Sequence, residues 1–152
     1  MMLVIDASVT VAWAFDSEST DFTRAVEEQV AREGAITPGH WPAEVANALL
    51  VAERRKRADA PRTALFLDRL RAFPVTVDDA VAESWGNALG LAREYRLTVY
   101  DACYLALAMR TGHALATLDS DLVKAARAAG VTLAGAAAAG PTPGRRQTGL
   151  RA

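Results

Sequence analysis

Leu3-Val4-Ile5-Asp6-Ala7-Ser8 places three consecutive large aliphatic residues directly before a carboxylate. An apolar run without polar alternation predicts a strand buried on both faces, as in parallel sheets. Far downstream, Ala114-Leu115-Ala116-Thr117-Leu118-Asp119 repeats the design, a short apolar strand closed by an acid. Between and beyond these two segments, brief strands alternate with helical stretches. Ala35-Ile36-Thr37, Val75-Thr76-Val77 and Val131-Thr132-Leu133 read as further short strands, with Pro38-Gly39 as a turn. That alternation predicts an α/β fold, a parallel β-sheet of about five strands flanked by helices in three layers.

The helices follow from their boundaries. Val9 to Phe15 reads as a short helix capped by Asp6 or Ser8, and Ser17 to Glu33 as a second one stopped at Gly34. Pro42 suits the first turn of a helix reaching about Arg57, whose basic end complements the helix dipole. Pro61 opens another to about Ala72, with Leu65, Leu67 and Leu70 at core-like spacing. Asp78 or Asp79 is expected to cap a helix ending near Tyr95. Val99 and Tyr100 lead into an apolar helix from Asp101 to Arg110, and Gly112 ends it. Leu122 to Ala129 is the last, stopped by Gly130. Residues 136–152 are rich in Ala, Gly, Pro and Arg and read as a disordered tail behind a domain of residues 1–135.

Composition narrows the function. The 152 residues suit one domain, and 51% hydrophobic residues suffice for its core. No stretch reaches the roughly 20 apolar residues of a membrane span, and the first residues lack a secretory pattern. Cys103 is the single cysteine, which excludes an internal disulfide and points to a reducing cytoplasm. With only His40, His113 and Cys103 available, a zinc site of thiolates and imidazoles is excluded. Residues 1–135 hold 18 acidic against 14 basic residues, a net −4. Bulk attraction to nucleic acid is therefore ruled out as a binding principle, and any such chemistry needs cations or a local basic patch. Of the 17 basic residues 15 are Arg, a bias that genomic base composition also produces.

Four acids then stand apart. Asp6 and Asp119 follow strands, at the edge of a parallel sheet where ligands bind. Glu44, just after Pro42, and Asp101, heading its helix, sit at helix starts that face the same edge. Each acid alone is explained equally well as a helix cap. Four such acids at one edge are better explained as a cation site, since hard carboxylate oxygens select Mg²⁺ or Mn²⁺. Ions held this way suit phosphodiester hydrolysis.

The segments Ile5-Asp6-Ala7-Ser8, Pro42-Ala43-Glu44-Val45-Ala46-Asn47-Ala48-Leu49, Tyr100-Asp101-Ala102-Cys103-Tyr104-Leu105-Ala106-Leu107-Ala108 and Thr117-Leu118-Asp119 resemble the four signature segments of PIN-domain ribonucleases. The resemblance is to the VapC-type toxins of toxin–antitoxin pairs and covers roughly residues 3–134. It implies a magnesium-dependent endoribonuclease with Asp6, Glu44, Asp101 and Asp119 as catalytic, metal-binding acids, Mn²⁺ substituting for Mg²⁺. It also implies support from Ser8 and Asn47, orientation of the fourth acid by Thr117, an RNA substrate, a homodimer and a cognate antitoxin. Asp121 is the rival for the fourth acid and is read instead as a helix cap.

Other residues read more plainly. Cys103 is expected as a buried structural thiol. His40 and His113 are assigned to the surface, with His40 able to approach a substrate from the loop before Glu44. Trp13, Trp41 and Trp85 are expected in the core or at a dimer contact, and Arg54 to Arg57 as a solvated helix end or a contact to RNA or antitoxin. A receiver domain would need a Lys after a later strand, where neither Lys56 nor Lys124 stands. A dehalogenase-type phosphatase needs an acid where Ser8 stands, and a toprim-like domain needs a Glu in place of Asp6. The non-enzymatic alternative is a catalytically inactive PIN-like domain that binds RNA or a partner.

Overall fold

The computed structural model describes residues 1–135, and the expected tail lies outside the described residues. Four strands form one parallel sheet: β1 (Leu3–Ile5), β2 (Ala35–Pro38), β3 (Val75–Asp78) and β4 (Ala114–Ala116), in the order β3-β2-β1-β4. Leu3 pairs with both Ala35 and Ala114, so β1 is central. Successive strand residues point to opposite faces, and Leu3, Val4 and Ile5 are all buried, so both faces of β1 are covered. The covering comes from seven α-helices among the described residues: α1 (Ala7–Ala12), α2 (Asp21–Glu33), α3 (Trp41–Arg54), α4 (Ala60–Arg71), α5 (Asn87–Tyr95), α6 (Val99–Thr111) and α7 (Ser120–Ala128). None is long and apolar enough to cross a membrane.

Helix α6 explains much of the packing. Ala102, Tyr104, Leu105, Ala106, Leu107 and Ala108 are all buried, so it is apolar around most of its circumference, as a central helix must be. Its small Ala102 and Ala106 pack against Ala88, Leu91 and Ala92 of α5. Trp13 and Trp41 join the main core, and each indole N–H donates to an oxygen, Thr23 O at 2.9 Å and Thr10 Oγ1 at 3.1 Å. Trp85, by contrast, is 89% exposed and belongs to no core.

Several boundaries differ from the sequence reading for local reasons. Helix α2 starts at Asp21, because Thr20 and Thr23 cap each other's backbone and a short 3-10 turn occupies Asp16–Glu18. Neither Asp78 nor Asp79 caps α5, since a 3-10 turn over Val81–Trp85 intervenes and Asp78 instead accepts from Arg110 at 2.7 Å. Leu65 is exposed, and the neighbouring Phe66 takes the core position in α4. The fifth strand is reduced to a parallel bridge between Leu133 and Leu115, flanked by hydrogen bonds from Leu115 N to Thr132 O and Ala134 N to Leu115 O. Gly34, Gly112 and Gly130 close their helices with positive φ, which their missing Cβ permits.

The strand order places the reversal of chain direction across the sheet between β1 and β4. Such a switch point leaves a crevice outside the carboxyl ends of those strands. Asp6 and Thr117 stand immediately after these two strands, and Asp6 N donates to Ala116 O.

Candidate active site: an acidic edge at the switch point

Asp6 is the most enclosed of the acids, 4% exposed. It caps α1, its Oδ1 accepting from Val9 N at 3.1 Å and from Ser8 Oγ at 2.6 Å. Its Oδ2 accepts from the Thr117 hydroxyl. Thr117 Oγ1 in turn accepts from Asp119 N at 3.0 Å, and Ser8 Oγ accepts from Leu118 N at 2.9 Å. Two hydroxyls therefore stitch the end of β1 to the end of β4, each donating to Asp6 and accepting from the backbone that follows β4. Asp119 caps α7 by accepting from Leu122 N at 2.9 Å, so Asp121 is not the cap and lies in the helix's first turn.

Glu44 and Asp101 are held differently. Helices α3 and α6, following β2 and preceding β4, begin at the same sheet edge, and each acid occupies a first turn. Neither is a cap: Thr98 caps α6, its Oγ1 accepting from Asp101 N at 3.1 Å, and His40 occupies the cap position of α3. Glu44 Oε1 accepts from the Tyr104 hydroxyl at 2.7 Å and lies 2.9 Å from His40 Nε2. His40 Nε2 is buried and close to Glu44, without the alignment of a full hydrogen bond. The His40 ring meets the Tyr104 ring edge-on, with centroids 5.1 Å apart.

The protonation behaviour shows which acids sense one another. Burial pushes the Asp6 carboxyl up from 3.8 to about 6, against the hydrogen bonds from Ser8, Thr117 and Val9, and the charge of Asp101 adds to the rise. Burial also raises Asp101, and the charges of Asp119 and Glu44 raise it further. Burial acts upward on Glu44 too, but its contacts with His40 and Tyr104 outweigh it, so Glu44 lies below its ordinary value. Burial and the Glu44 contact push the Tyr104 hydroxyl upward, which keeps it a donor. Asp101 is thus electrostatically tied to each of the other three acids.

The donor set is all carboxylate oxygen, which fits a hard divalent cation in kind. Among the described residues no three His, Cys, Asp or Glu side chains stand as a ready cage. Three of the acids already face their own donors, Asp6, Glu44 and Asp119. Asn47, one turn after Glu44, is exposed and makes no described bond to the acids. Sequence reasoning left Tyr104 unassigned, although Asp101 and Tyr104 share a helix face at i, i+3. It placed His40 at the surface, although His40 and Glu44 stand at i, i+4. Cys103 is half-buried, 3.5 Å from Ser84 Oγ, and belongs to none of this.

An open parallel α/β sheet with an acidic switch-point edge defines the architectural class. The family model described as PIN domain matches residues 3–128, and the chain belongs to that family. It is 31% identical to Ribonuclease VapC3 of Pyrobaculum aerophilum over 82% of this chain and 94% of that protein. It is 33% identical to Ribonuclease VapC3 of Mycobacterium tuberculosis over 81% of this chain and 86% of that one. The crystal structure of PAE2754 from Pyrobaculum aerophilum superposes with a TM-score of 0.62 at 28% identity, covering 82% of this chain and 79% of the other.

Proposed function

We propose that this chain is a divalent-metal-dependent endoribonuclease, the toxin of a toxin–antitoxin pair. The observation that carries the reading is that four acids of a PIN-domain chain share one sheet edge, Asp6 and Asp119 after β1 and β4, Glu44 and Asp101 in the first turns of α3 and α6. An acid that repels its neighbours at a ligand-binding edge has a use if a cation is to be gathered there. The two ribonuclease relatives support the substrate class.

Asp6 and Asp101 would hold Mg²⁺, or Mn²⁺ in its place, with Glu44 and Asp119 completing or supporting its shell. Such an ion lowers the pKa of water and offsets charge on the leaving oxygen. The protein's own part is positioning. Ser8 and Thr117 fix both oxygens of Asp6, and Thr117 and the α7 backbone fix Asp119. Tyr104 and His40 hold one Glu44 oxygen toward α6. Water attacks phosphorus, the bond to the 3′ oxygen breaks, and that oxygen takes a proton, leaving 5′-phosphate and 3′-hydroxyl ends. Asn47 is assigned a place beside Glu44 in supporting the bound state.

The antitoxin is a separate chain, and an Arg from it among the carboxylates would replace the cation's charge. A homodimer in the cytoplasm completes the reading. The test is RNA cleavage by the purified chain in Mn²⁺ and in EDTA, beside Asp6→Asn. Cleavage in Mn²⁺ only, reduced at least about a hundredfold in the variant, is expected. Equal cleavage by Asp6→Asn would remove the acids from the chemistry. RNA binding without cleavage would favour the inactive PIN-like domain.

A further inference from the structure

Beside the acidic edge lies an open groove of about 810 Å³, within the size range of small-ligand sites and walled mainly by apolar side chains of α5 and α6. Its lining includes His40 and Tyr100, which border the acids directly: His40 contacts Glu44, and Tyr100 precedes Asp101. Through His40 and Tyr100 the groove adjoins the acidic edge. Two aromatic side chains line it while largely exposed, Trp85 at 89% and Tyr100 at 63%. The Tyr100 ring is steadied by a tilted contact with His40, centroids 5.5 Å apart. Large aromatics left in water beside a site gain most from a flat partner that stacks on them.

We propose that this groove is a nucleobase subsite, in which Tyr100 and Trp85 stack an unpaired RNA base next to the phosphate held at the acids. The inference rests on the nuclease reading and deepens it. Residues 1–135 carry a net −4, so phosphate attraction contributes little to affinity and the base must supply what the backbone does not. Stacking serves this purpose and tolerates sequence, because every base has a π-face. A base can enter the groove only when splayed out of a helix, which suits stacking between two exposed aromatics. Ser84 and the Arg110–Asp78 ion pair, N to O at 2.7 Å, also line the groove and offer polar atoms to a base edge.

The test uses the full chain carrying Asp6→Asn, which the nuclease reading makes cleavage-silent, and the anisotropy of a short labelled single-stranded RNA in Mg²⁺. Adding Tyr100→Ala or Trp85→Ala should weaken binding about tenfold each, and Tyr100→Phe should keep it within about twofold. An abasic ribose-phosphate chain of equal length should bind weakly and equally to all. Both aromatics are exposed, and circular dichroism serves as the check that each variant folds. Equal RNA affinity across the variants overturns the subsite, as does the absence of RNA binding. So does a Trp85→Ala variant that turns a dimer into a monomer with RNA affinity unchanged, since the groove would then be a self-interface. Failure of the nuclease reading shows separately, as cleavage by Asp6→Asn or none by the wild type in Mn²⁺.

Discussion

The acids at the strand ends and those in the helix turns are built on opposite principles. Asp6 and Asp119 are structural parts as well as proposed site residues: each caps a helix, and Ser8 and Thr117 bind their segments together. Glu44 and Asp101 cap neither of their helices, so starting those helices does not need their charge. Under the proposed function, capping and catalysis are not rival explanations for an acid after a strand. Hydrogen bonds that a cap requires would also immobilise an oxygen offered to a cation. In the helix turns, where no such need exists, the charge itself is the clearer sign of function.

If the contrast holds, removing the hydrogen bonds of the strand-end pair must cost the fold, while removing a charge from the helix pair must not. The largest effect is in pH dependence without metal. The folded-state pKa of Asp6 is raised, so the folded protein binds its proton more tightly than the unfolded chain does between 3.8 and about 6. Its contribution to stability is therefore full below 3.8 and lost as pH rises through about 6. In EDTA, wild type should gain about 2–3 kcal/mol relative to Asp6→Asn between pH 7 and pH 4, read from urea melts. A flat difference would show that Asp6 is not strained by burial. Thr117→Val comes next, because it deprives Asp6 Oδ2 of a donor and Asp119 N of an acceptor. A loss of about 1–2 kcal/mol is expected, and none would mean the stitch between β1 and β4 is idle. Tyr104→Phe removes only the hydroxyl on Glu44 and should cost about 1 kcal/mol or less, with a rise in the Glu44 pKa measurable by NMR titration.

Much of this architecture was legible because it depends on local chemistry. The strands were aliphatic runs too short for helices, and Gly34, Gly112 and Gly130 stopped helices where positive φ was required. Thr20 was missed because its partner is Thr23, where a capping box ordinarily has Glu or Gln. The outer strand expected over Val131 to Leu133 has one bridge, which apolarity alone does not reveal. Trp85 was assigned by its size to core or interface, and exposure depends on what packs nearby. The places of the four acids beside strands and helix starts were legible in the same way as the strands. What holds Glu44 was not, since Tyr104 is sixty residues away in the chain and reaches it only through the fold.

The central claim is that the acids form one charged pocket whose repulsion a cation relieves. Asp101→Asn tests it most directly, because Asn keeps the shape and Thr98 remains the cap of α6. Thermal melts of wild type and variant in EDTA and in excess Mg²⁺ provide the measurement. In EDTA the variant should be the more stable by about 0.5–1 kcal/mol, the modest gain of relieving a functional site. Added Mg²⁺ should raise the wild-type melting temperature by more than that of the variant. Equal melting temperatures in EDTA together with equal shifts in Mg²⁺ would contradict the account.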